Sequence, residues 1–230
     1  MNRPDHVVVV LLAELKPLAI PWGWWRVARG QQPLKHQPGL VFAKALGSGH
    51  EGGFGLRPSA SRQGLFAVFD GEEQADAFIE RSSHVQAYRR RSRECCLMKL
   101  RATSSRGSWS GHQIGVTAQV PERGPVASLT RASIRPRRAA AFWRQSPPSE
   151  ASLERAAGCS LAVGLGEAPV LRQATLSLWE SQSAMDAYAR SGAHLAAIRA
   201  AYDGKYFSES MFVRFAPVWL HGQWKGRSLA

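Results

Sequence analysis

The chain has 230 residues and a net charge of +13, from 30 Lys and Arg against 17 Asp and Glu. This length suits one large domain or two of ordinary size, and no apolar run approaches the ~20 residues that would span a bilayer. Three cysteines, two of them adjacent, form neither a disulfide framework nor a CxxC metal pair. We therefore expect a folded protein in a reducing cytoplasm.

The first half of the chain predicts the element order β-α-β-β-α-β. Pro17 ends the first strand, and the segment 47–61, rich in Gly, Ser and Pro, is predicted to be a loop. The predicted strands are 7–16, 39–46, 64–69 and 95–102, and the predicted helices are 21–30, 71–81 and 84–93. This order is that of a ferredoxin-like unit.

The second half repeats the first. The stretch Glu180–Tyr202 has the layout of Asp70–Arg93, and the pairs Asp76/Asp186, Phe78/Tyr188 and His84/His194 each lie 110 positions apart. Trp143-Arg144 is expected to take the place of Trp25-Arg26. The predicted strands are 126–135, 159–165, 173–179 and 211–219, and the predicted helices are 138–144 and a pair within 180–202.

Two such units predict one closed core. A single β-α-β-β-α-β unit covers one face of its sheet with helices and leaves the other face bare, which is unstable alone. Two tandem units can bury their bare faces together. We expect an α+β fold in which two ferredoxin-like halves, 1–111 and 126–230, joined by a linker at 112–125, form a fused dimeric α/β barrel. A cavity between a sheet and its helices would suit a flat, apolar cofactor.

His194 is the first candidate for chemistry. It follows Ser191-Gly192-Ala193 where the helix restarts, and small neighbours leave space above its imidazole. A neutral imidazole is a good iron ligand and can hold haem iron. The alternative is a histidine that only makes local hydrogen bonds at a helix start. His84 occupies the repeated position and is the rival.

Other catalytic and binding classes fit the sequence poorly. GxSxG, HExxH and GxxxxGK[ST] motifs are absent. RNA-recognition domains share this element order, but the aromatics of 63–69 miss their stacking positions and 173–179 has none there. We therefore expect no nucleic-acid partner.

Several strings of residues resemble the spheroidene monooxygenase family of bacterial carotenoid synthesis. The resemblance runs over about residues 20–228. Its main strings in the second half are Leu165-Gly-Glu-Ala-Pro169, Gln173–Trp179, Met185–His194, Phe207–Phe215 and Trp224–Ser228. In the first half it includes Pro38-Gly-Leu40 and Trp109-Ser-Gly111.

The resemblance implies a ketolase that oxidises C-2 of acyclic carotenoids such as spheroidene. It implies O2 and haem, with electrons from a ferredoxin. Carried onto this sequence, it makes His194 the candidate proximal ligand of the iron. Arg172 or Arg131 is the candidate partner of a haem propionate, because guanidinium pairs well with carboxylate.

The resemblance also implies where in the cell the protein is found. A carotenoid lies in the membrane, so the protein is expected in the cytoplasm and peripherally on the inner face of the cytoplasmic membrane. Its basic surface would meet anionic headgroups. Trp22, Trp24 and Trp25 would lie at the interface, and the alternatives are that they line an apolar tunnel or belong to the core. A basic face would also suit an acidic ferredoxin. Two alternatives stay open: a haem-degrading or cofactor-independent monooxygenase of the same barrel class, and a non-catalytic module that binds an apolar ligand or nucleic acid.

Overall fold

The structure is a computed structural model that describes residues 5–53, 55, 57–168, 170–190 and 192–229, with the backbone alone at 145–151, 154, 193, 194, 197, 198 and 202. The strands are β1 Val7–Leu15, β2 Leu40–Gly49, β3 Pro58–Phe69, β4 Ser92–Gly107, β5 Val126–Ile134, β6 Cys159–Ala168, β7 Arg172–Trp179, β8 Phe207–Trp224 and β9 Arg227–Leu229. The helices are α1 Ile20–Arg29, α2 Glu72–Arg81, α3 Ser83–Arg91, α4 Ala139–Glu154, α5 Gln182–Ala189 and α6 Gly192–Asp203. Single 3-10 turns Pro17–Ala19 and Pro136–Arg138 precede α1 and α4.

Eight strands close into an antiparallel barrel. The first half forms a sheet of order β4-β1-β3-β2, and the second half forms the matching sheet β8-β5-β7-β6. The edges of the two sheets then pair, β4 with β8 and β2 with β6, and β9 is added to β8. The predicted α+β barrel built from two ferredoxin-like halves is confirmed.

The two halves repeat individual contacts as well as topology. The Trp24 indole N–H donates to the Ala60 carbonyl at 3.0 Å, and the Trp143 indole N–H donates to the Val170 carbonyl at 2.9 Å. The ring of Phe69 lies 5.1 Å from that of Phe78, and their repeat partners Trp179 and Tyr188 are 5.2 Å apart. Trp143 therefore corresponds to Trp24, so the predicted match with Trp25 was wrong by one residue.

Strand alternation gives the sheet of the first half two apolar faces. On β1, Val8, Val10 and Leu12 point into the barrel, where they join one core with the inward side chains of the other strands. Val7, Val9, Leu11, Ala13 and Leu15 point outward to the helices of the first half. The continuous apolar run of this strand follows from burial on both faces.

Two glutamates, one in each half, accept hydrogen bonds from the turn that ends the opposite half; we call these contacts the clasp. Glu94 on β4 accepts from the backbone N–H groups of Lys225 and Gly226 at 2.7 and 2.8 Å. Its repeat partner Glu209 on β8 accepts from the Ser108 hydroxyl at 2.9 Å and the Gly111 N–H at 3.0 Å. Each carboxylate therefore holds the turn that ends the other half, beside Trp109 or Trp224.

Several element boundaries differ from the sequence-based ones. The predicted loop 47–61 is shortened because β2 continues to Gly49 and pairs it with Pro58 at the start of β3. Strand β8 runs from Phe207 to Trp224 because it pairs with β5 along its first part and with β4 along most of its length. Helix α4 extends to Glu154, well past the predicted end at 144.

Among the residues that the structure describes, no helix has the length and apolarity to cross a membrane.

The clasp predicts an acid-sensitive contribution to stability. Burial alone would raise the pKa of Glu209, but hydrogen bonds from Gly111, Ser108, Ser110 and Arg131 lower it to about 2. A carboxyl group with a depressed folded-state pKa stabilises the fold above its unfolded pKa, and this contribution is lost as pH falls from about 4.5 towards about 2. We expect Glu209→Gln to lower the free energy of unfolding at neutral pH and to flatten its fall across that acid range.

Urea unfolding at a series of pH values measures this effect. The exposed Glu122→Gln change, in the connection between β4 and β5, is the matched control and should keep the wild-type profile. An unaltered acid dependence in Glu209→Gln would show that the clasp does not contribute.

Candidate functional site

The outer layers of the two halves differ in how well they are filled. In the first half, large aliphatic and aromatic side chains fill the space between the sheet and α2 and α3. Among the side chains that the structure describes, the corresponding cluster in the second half has four buried members, Val126, Leu153, Trp179 and Met185. The described part of this layer, which we call the open layer, is therefore less filled than the layer of the first half.

Two cross-strand pairs account for the difference. On the outer face of the first half, Val9 pairs with Ala67 and Leu11 pairs with Leu65. In the same register, the second half has Ser128 paired with Ser177 and Thr130 paired with Thr175. The flanking pairs keep their character: Ala13/Gln63 is repeated as Ala132/Gln173, and Val7/Phe69 as Val126/Trp179. Small hydroxyl side chains replace aliphatic ones only in the middle of this face.

A cavity of about 110 Å³ lies over these four residues, between the sheet and the helices. Tyr188 lines this cavity and also a neighbouring one of about 520 Å³ that is bounded by residues of α4, α5 and Gly192 of α6. The remaining side chains around the first cavity are Leu153, Trp179, Met185, Ala189, Phe212 and Arg214. Small-molecule sites usually hold ~300–1,000 Å³ and have mostly apolar walls with a few polar groups. The second space has a volume in this range, and the first is smaller.

Hydrogen bonds order the floor of the cavity. The Ser128 and Ser177 hydroxyls share a hydrogen bond of 2.9 Å, and the Trp179 indole N–H donates to Ser177 Oγ at 2.9 Å. These bonds satisfy the two serines within the protein. Thr130 is exposed and Thr175 half-buried, so their hydroxyls are the ones accessible from the cavity.

Arg214 contributes a positive charge to the cavity wall. Its Nη2 donates to Asp186 Oδ1 at 2.7 Å. The equivalent residue of the first half, Lys99, is held by two carboxylates, Glu72 at 2.7 Å and Asp76 at 2.8 Å. The second copy has Gln182 in place of Glu72. The guanidinium, which has five donors, thus keeps donors beyond its bond to Asp186.

Of the two candidate histidines, His84 lies in the filled layer, and His194 is described by its backbone alone. His194 is the third residue of α6, which packs against α4 and α5. His84 is buried among Phe78 and Tyr88, and its Nε2 lies 3.5 Å from Nη2 of Arg26. The filled first-half layer has Leu11 and Leu65 where a flat ligand would have to lie.

The two candidate arginines lie apart from the cavity. Arg131 points into the barrel, is 2% exposed and forms ion pairs with Glu167 and Glu209. Its guanidinium lies 5.6 Å from the Trp109 ring. Arg172, the first residue of β7, is exposed. The structure therefore does not bring these arginines together with α6.

Sequence reasoning missed Thr130, Thr175 and Arg214. A signal for them was present, because aligning the two copies strand by strand sets Thr130 against Leu11 and Thr175 against Leu65. Leu11 and Leu65 are buried in the first copy. Their replacement by threonine in the second copy indicates that these positions serve a role other than core packing.

The comparisons with known proteins agree with this architecture. An aldoxime dehydratase crystallised with butyraldoxime superposes with a TM-score of 0.60 over 94% of this chain and 81% of its own, at 10% identity. A likeness at that identity concerns the fold alone. No protein-family model matches the sequence.

Curated relatives are much more similar. The spheroidene monooxygenase of Rubrivivax gelatinosus is 60% identical over 96% of this chain and 86% of its own length. That of Rhodobacter capsulatus is 32% identical over 91% and 88%.

The fold defines an α+β barrel protein with a cavity of about 110 Å³ between one sheet and its helices. With these relatives, the class is that of the monooxygenases. The chain belongs to the spheroidene monooxygenase family.

Exchange of one cross-strand residue between the copies tests whether the open layer is a site or a packing defect. Leu65→Thr should lower the free energy of unfolding by about 2–4 kcal/mol, because it removes buried aliphatic groups and buries a hydroxyl. Thr175→Leu should instead leave stability unchanged or raise it by about 1 kcal/mol, because it fills a cavity. Thermal and urea unfolding of the two variants measure the difference. A loss in Thr175→Leu as large as in Leu65→Thr would show that the second layer is packed as tightly as the first.

Proposed function

We propose that the protein is a haem-dependent monooxygenase that introduces a keto group at C-2 of an acyclic carotenoid such as spheroidene. The observation that carries the proposal is the cavity between the second-half sheet and helices α4 and α5, where the first copy of the repeat has a packed core. The names of the relatives at 60% and 32% identity support the carotenoid substrate.

The open layer fits a flat macrocycle in its chemistry. Its floor is made of small side chains, its walls of aromatic and aliphatic ones, and alanines face it from the helices, among them Ala184, Ala187 and Ala189. A haem iron needs one protein ligand on its proximal side. We infer that His194 is that ligand, because α6 packs against α4 and α5, whose side chains line the cavity, while His84 is enclosed in the filled layer.

Arg214 is the best-placed partner for a ligand carboxylate. It lines the cavity, and Asp186 orients its guanidinium while leaving donors unused. A guanidinium pairs with a carboxylate through two parallel hydrogen bonds. We therefore assign the propionate-binding role to Arg214 ahead of Arg131, which is paired with Glu167 and Glu209, and of Arg172, which does not line the cavity.

The chemistry follows from the product. Haem, when bound, would supply the activation of O2. Each hydroxylation uses one O2, two electrons and two protons, inserts one oxygen atom into a C–H bond and releases one water. A second hydroxylation at the same carbon gives a gem-diol, which loses water to leave the ketone. The apolar wall formed by Leu153, Met185 and Phe212 would hold the polyene and exclude water from it.

Electrons would come from a ferredoxin in the cytoplasm. The net charge of +13 favours approach of an acidic donor protein. Three free cysteines fit a reducing compartment. Burial raises the pKa of the Cys95 and Cys159 thiols to about 11, so neither is a thiolate at neutral pH.

Absorption spectroscopy tests the haem assignment. We expect the purified wild-type protein to give a Soret band when titrated with hemin, and we expect His194→Ala to change the ferric spectrum. His84→Ala should keep the wild-type spectrum, and circular dichroism should confirm that both variants fold. A wild-type protein that binds no hemin would overturn the haem assignment, and an unchanged spectrum in His194→Ala would overturn the ligand assignment. Arg214→Gln should weaken hemin binding more than Arg172→Gln does.

Pigment analysis tests the reaction. In a bacterial host that makes spheroidene, expression of the chain should yield a carotenoid with one more oxygen atom and two fewer hydrogen atoms, seen by mass spectrometry. The Thr130→Leu/Thr175→Leu variant, with its site filled, should yield none although it folds. An unaltered pigment with the wild-type chain, or a hydroxylated product that never becomes a ketone, would contradict the proposed activity. Consumption of hemin without substrate would point instead to a haem-degrading enzyme.

A further inference from the structure

An apolar stripe runs along the exposed side of the first helix. Leu18, in the 3-10 turn that leads directly into α1, is 99% exposed, and Trp25 is 50% exposed. Positions 18, 22, 25 and 29 follow the three- and four-residue spacing that aligns side chains on one face of a helix. Leu18, Trp22 and Trp25 therefore lie along one edge, which ends at Arg29. Leu18 and Trp25 are its exposed members, while Trp22 is half-buried with its ring 4.9 Å from that of the buried Tyr88.

Trp24 does not belong to this edge. Its indole N–H donates to the Ala60 carbonyl, and its ring lines a small cavity at the seam between β2 and β6. The sequence grouped Trp22, Trp24 and Trp25 as one interfacial cluster; the structure replaces Trp24 with Leu18.

Arginine and lysine side chains flank the stripe. The Arg29 guanidinium lies 4.9 Å from the Trp25 ring, and that of Arg91 lies 4.9 Å from the Trp22 ring. The backbone N–H of Lys16 donates to the Arg91 carbonyl at 2.9 Å, and its Nζ donates to the Arg90 carbonyl at 3.0 Å. These bonds fix the basic end of α3, with exposed side chains at positions 89–91, beside Leu18.

Acidic side chains are scarce around the stripe. The chain has no Asp or Glu between Glu14 and Glu51, and none from Arg81 to Arg93. Glu14 is paired with Arg62, at 3.0 Å from its Nη2, and Glu94 is used in the clasp. Among the residues that the structure describes, Arg29 and the arginines at 89–91 therefore form no ion pair that would neutralise them.

The second copy shows that the fold does not require this edge. The repeat sets Leu18 against Arg137, Trp22 against Ala141 and Trp25 against Arg144. The corresponding surface of the second half is therefore basic without the apolar side chains. The exposed apolar edge is a property of the first copy alone.

We propose that the stripe Leu18–Trp22–Trp25, with its flank of Lys16, Arg29 and Arg89–Arg91, docks the protein on an anionic lipid bilayer. Tryptophan favours the headgroup level of a membrane, and an apolar helix face edged by Lys and Arg lies in the interface plane. Basic residues at the surface are drawn to anionic lipid. A nucleic acid would use stacking platforms, and a projecting aliphatic side chain such as Leu18 cannot stack. This inference goes beyond the proposed function and does not depend on it.

Flotation with vesicles tests the proposal on the full chain without any carotenoid or hemin. The wild-type protein should float with vesicles of phosphatidylcholine and phosphatidylglycerol, and less with phosphatidylcholine alone. Leu18→Ser/Trp25→Ser should weaken binding by about tenfold or more, since the apolar contact is lost. Arg89→Gln/Arg90→Gln should weaken it by roughly fivefold per residue at low salt, and much less at high salt.

Two matched controls separate the stripe from general charge. Val218→Ser removes an apolar side chain that is 45% exposed on β8, and Arg137→Gln/Arg138→Gln removes two charges from the second copy. Both should bind vesicles like the wild type. Equal losses in the controls, no effect of the Leu18/Trp25 change, or binding to RNA or an acidic protein but not to vesicles would each overturn the proposal.

Discussion

Edge pairing between two four-stranded sheets is the interaction on which the rest of the structure depends. The pairing of β4 with β8 is the longest in the molecule, running from Cys96 opposite Gly222 to Gly107 opposite Met211. It closes the barrel around an apolar core drawn from all eight barrel strands. Because this core supplies the burial that a domain needs, the helix-covered outer faces are free to differ between the copies.

That freedom accounts for the candidate site. The first copy keeps aliphatic side chains on its outer face and forms a second core beneath α2 and α3. The second copy gives up such packing at two adjacent cross-strand pairs and acquires a cavity with hydroxyl groups on its floor. Function usually costs stability in this way, because a binding space replaces a packed one. The filled copy provides an internal reference for what the second layer would be without a ligand.

The fold was largely predictable from the sequence, because the repeat doubled each signal. The 110-residue spacing of Asp76/Asp186 and Phe78/Tyr188 predicted matching helix pairs, and both copies make the same contacts. The extent of the strands was not predictable. Gly49 and Pro58 look like loop residues locally, and only the register between β2 and β3 pairs them.

The site was harder to predict because its residues carry no motif. Thr130 and Thr175 look like ordinary strand residues, and they stand out only when the copies are compared in register. Arg131 looked like a strand-end arginine free to bind a carboxylate. Because side chains alternate along β5, that of Arg131 points into the barrel, where it forms ion pairs with Glu167 and Glu209. Burial alone would raise the pKa of Glu167, but hydrogen bonds from Lys44 and Trp109 lower it, so this carboxylate is an ion-pair partner for Arg131.

The central claim is the location of the cofactor in the second copy, between its sheet and α6. An anomalous difference map, recorded at the iron absorption edge from crystals grown with hemin, tests it most directly. The account predicts one iron peak between the outer face of β5 and β7 and helix α6, at coordination distance from His194. An iron peak beside His84, or inside the barrel near Arg131, would contradict it.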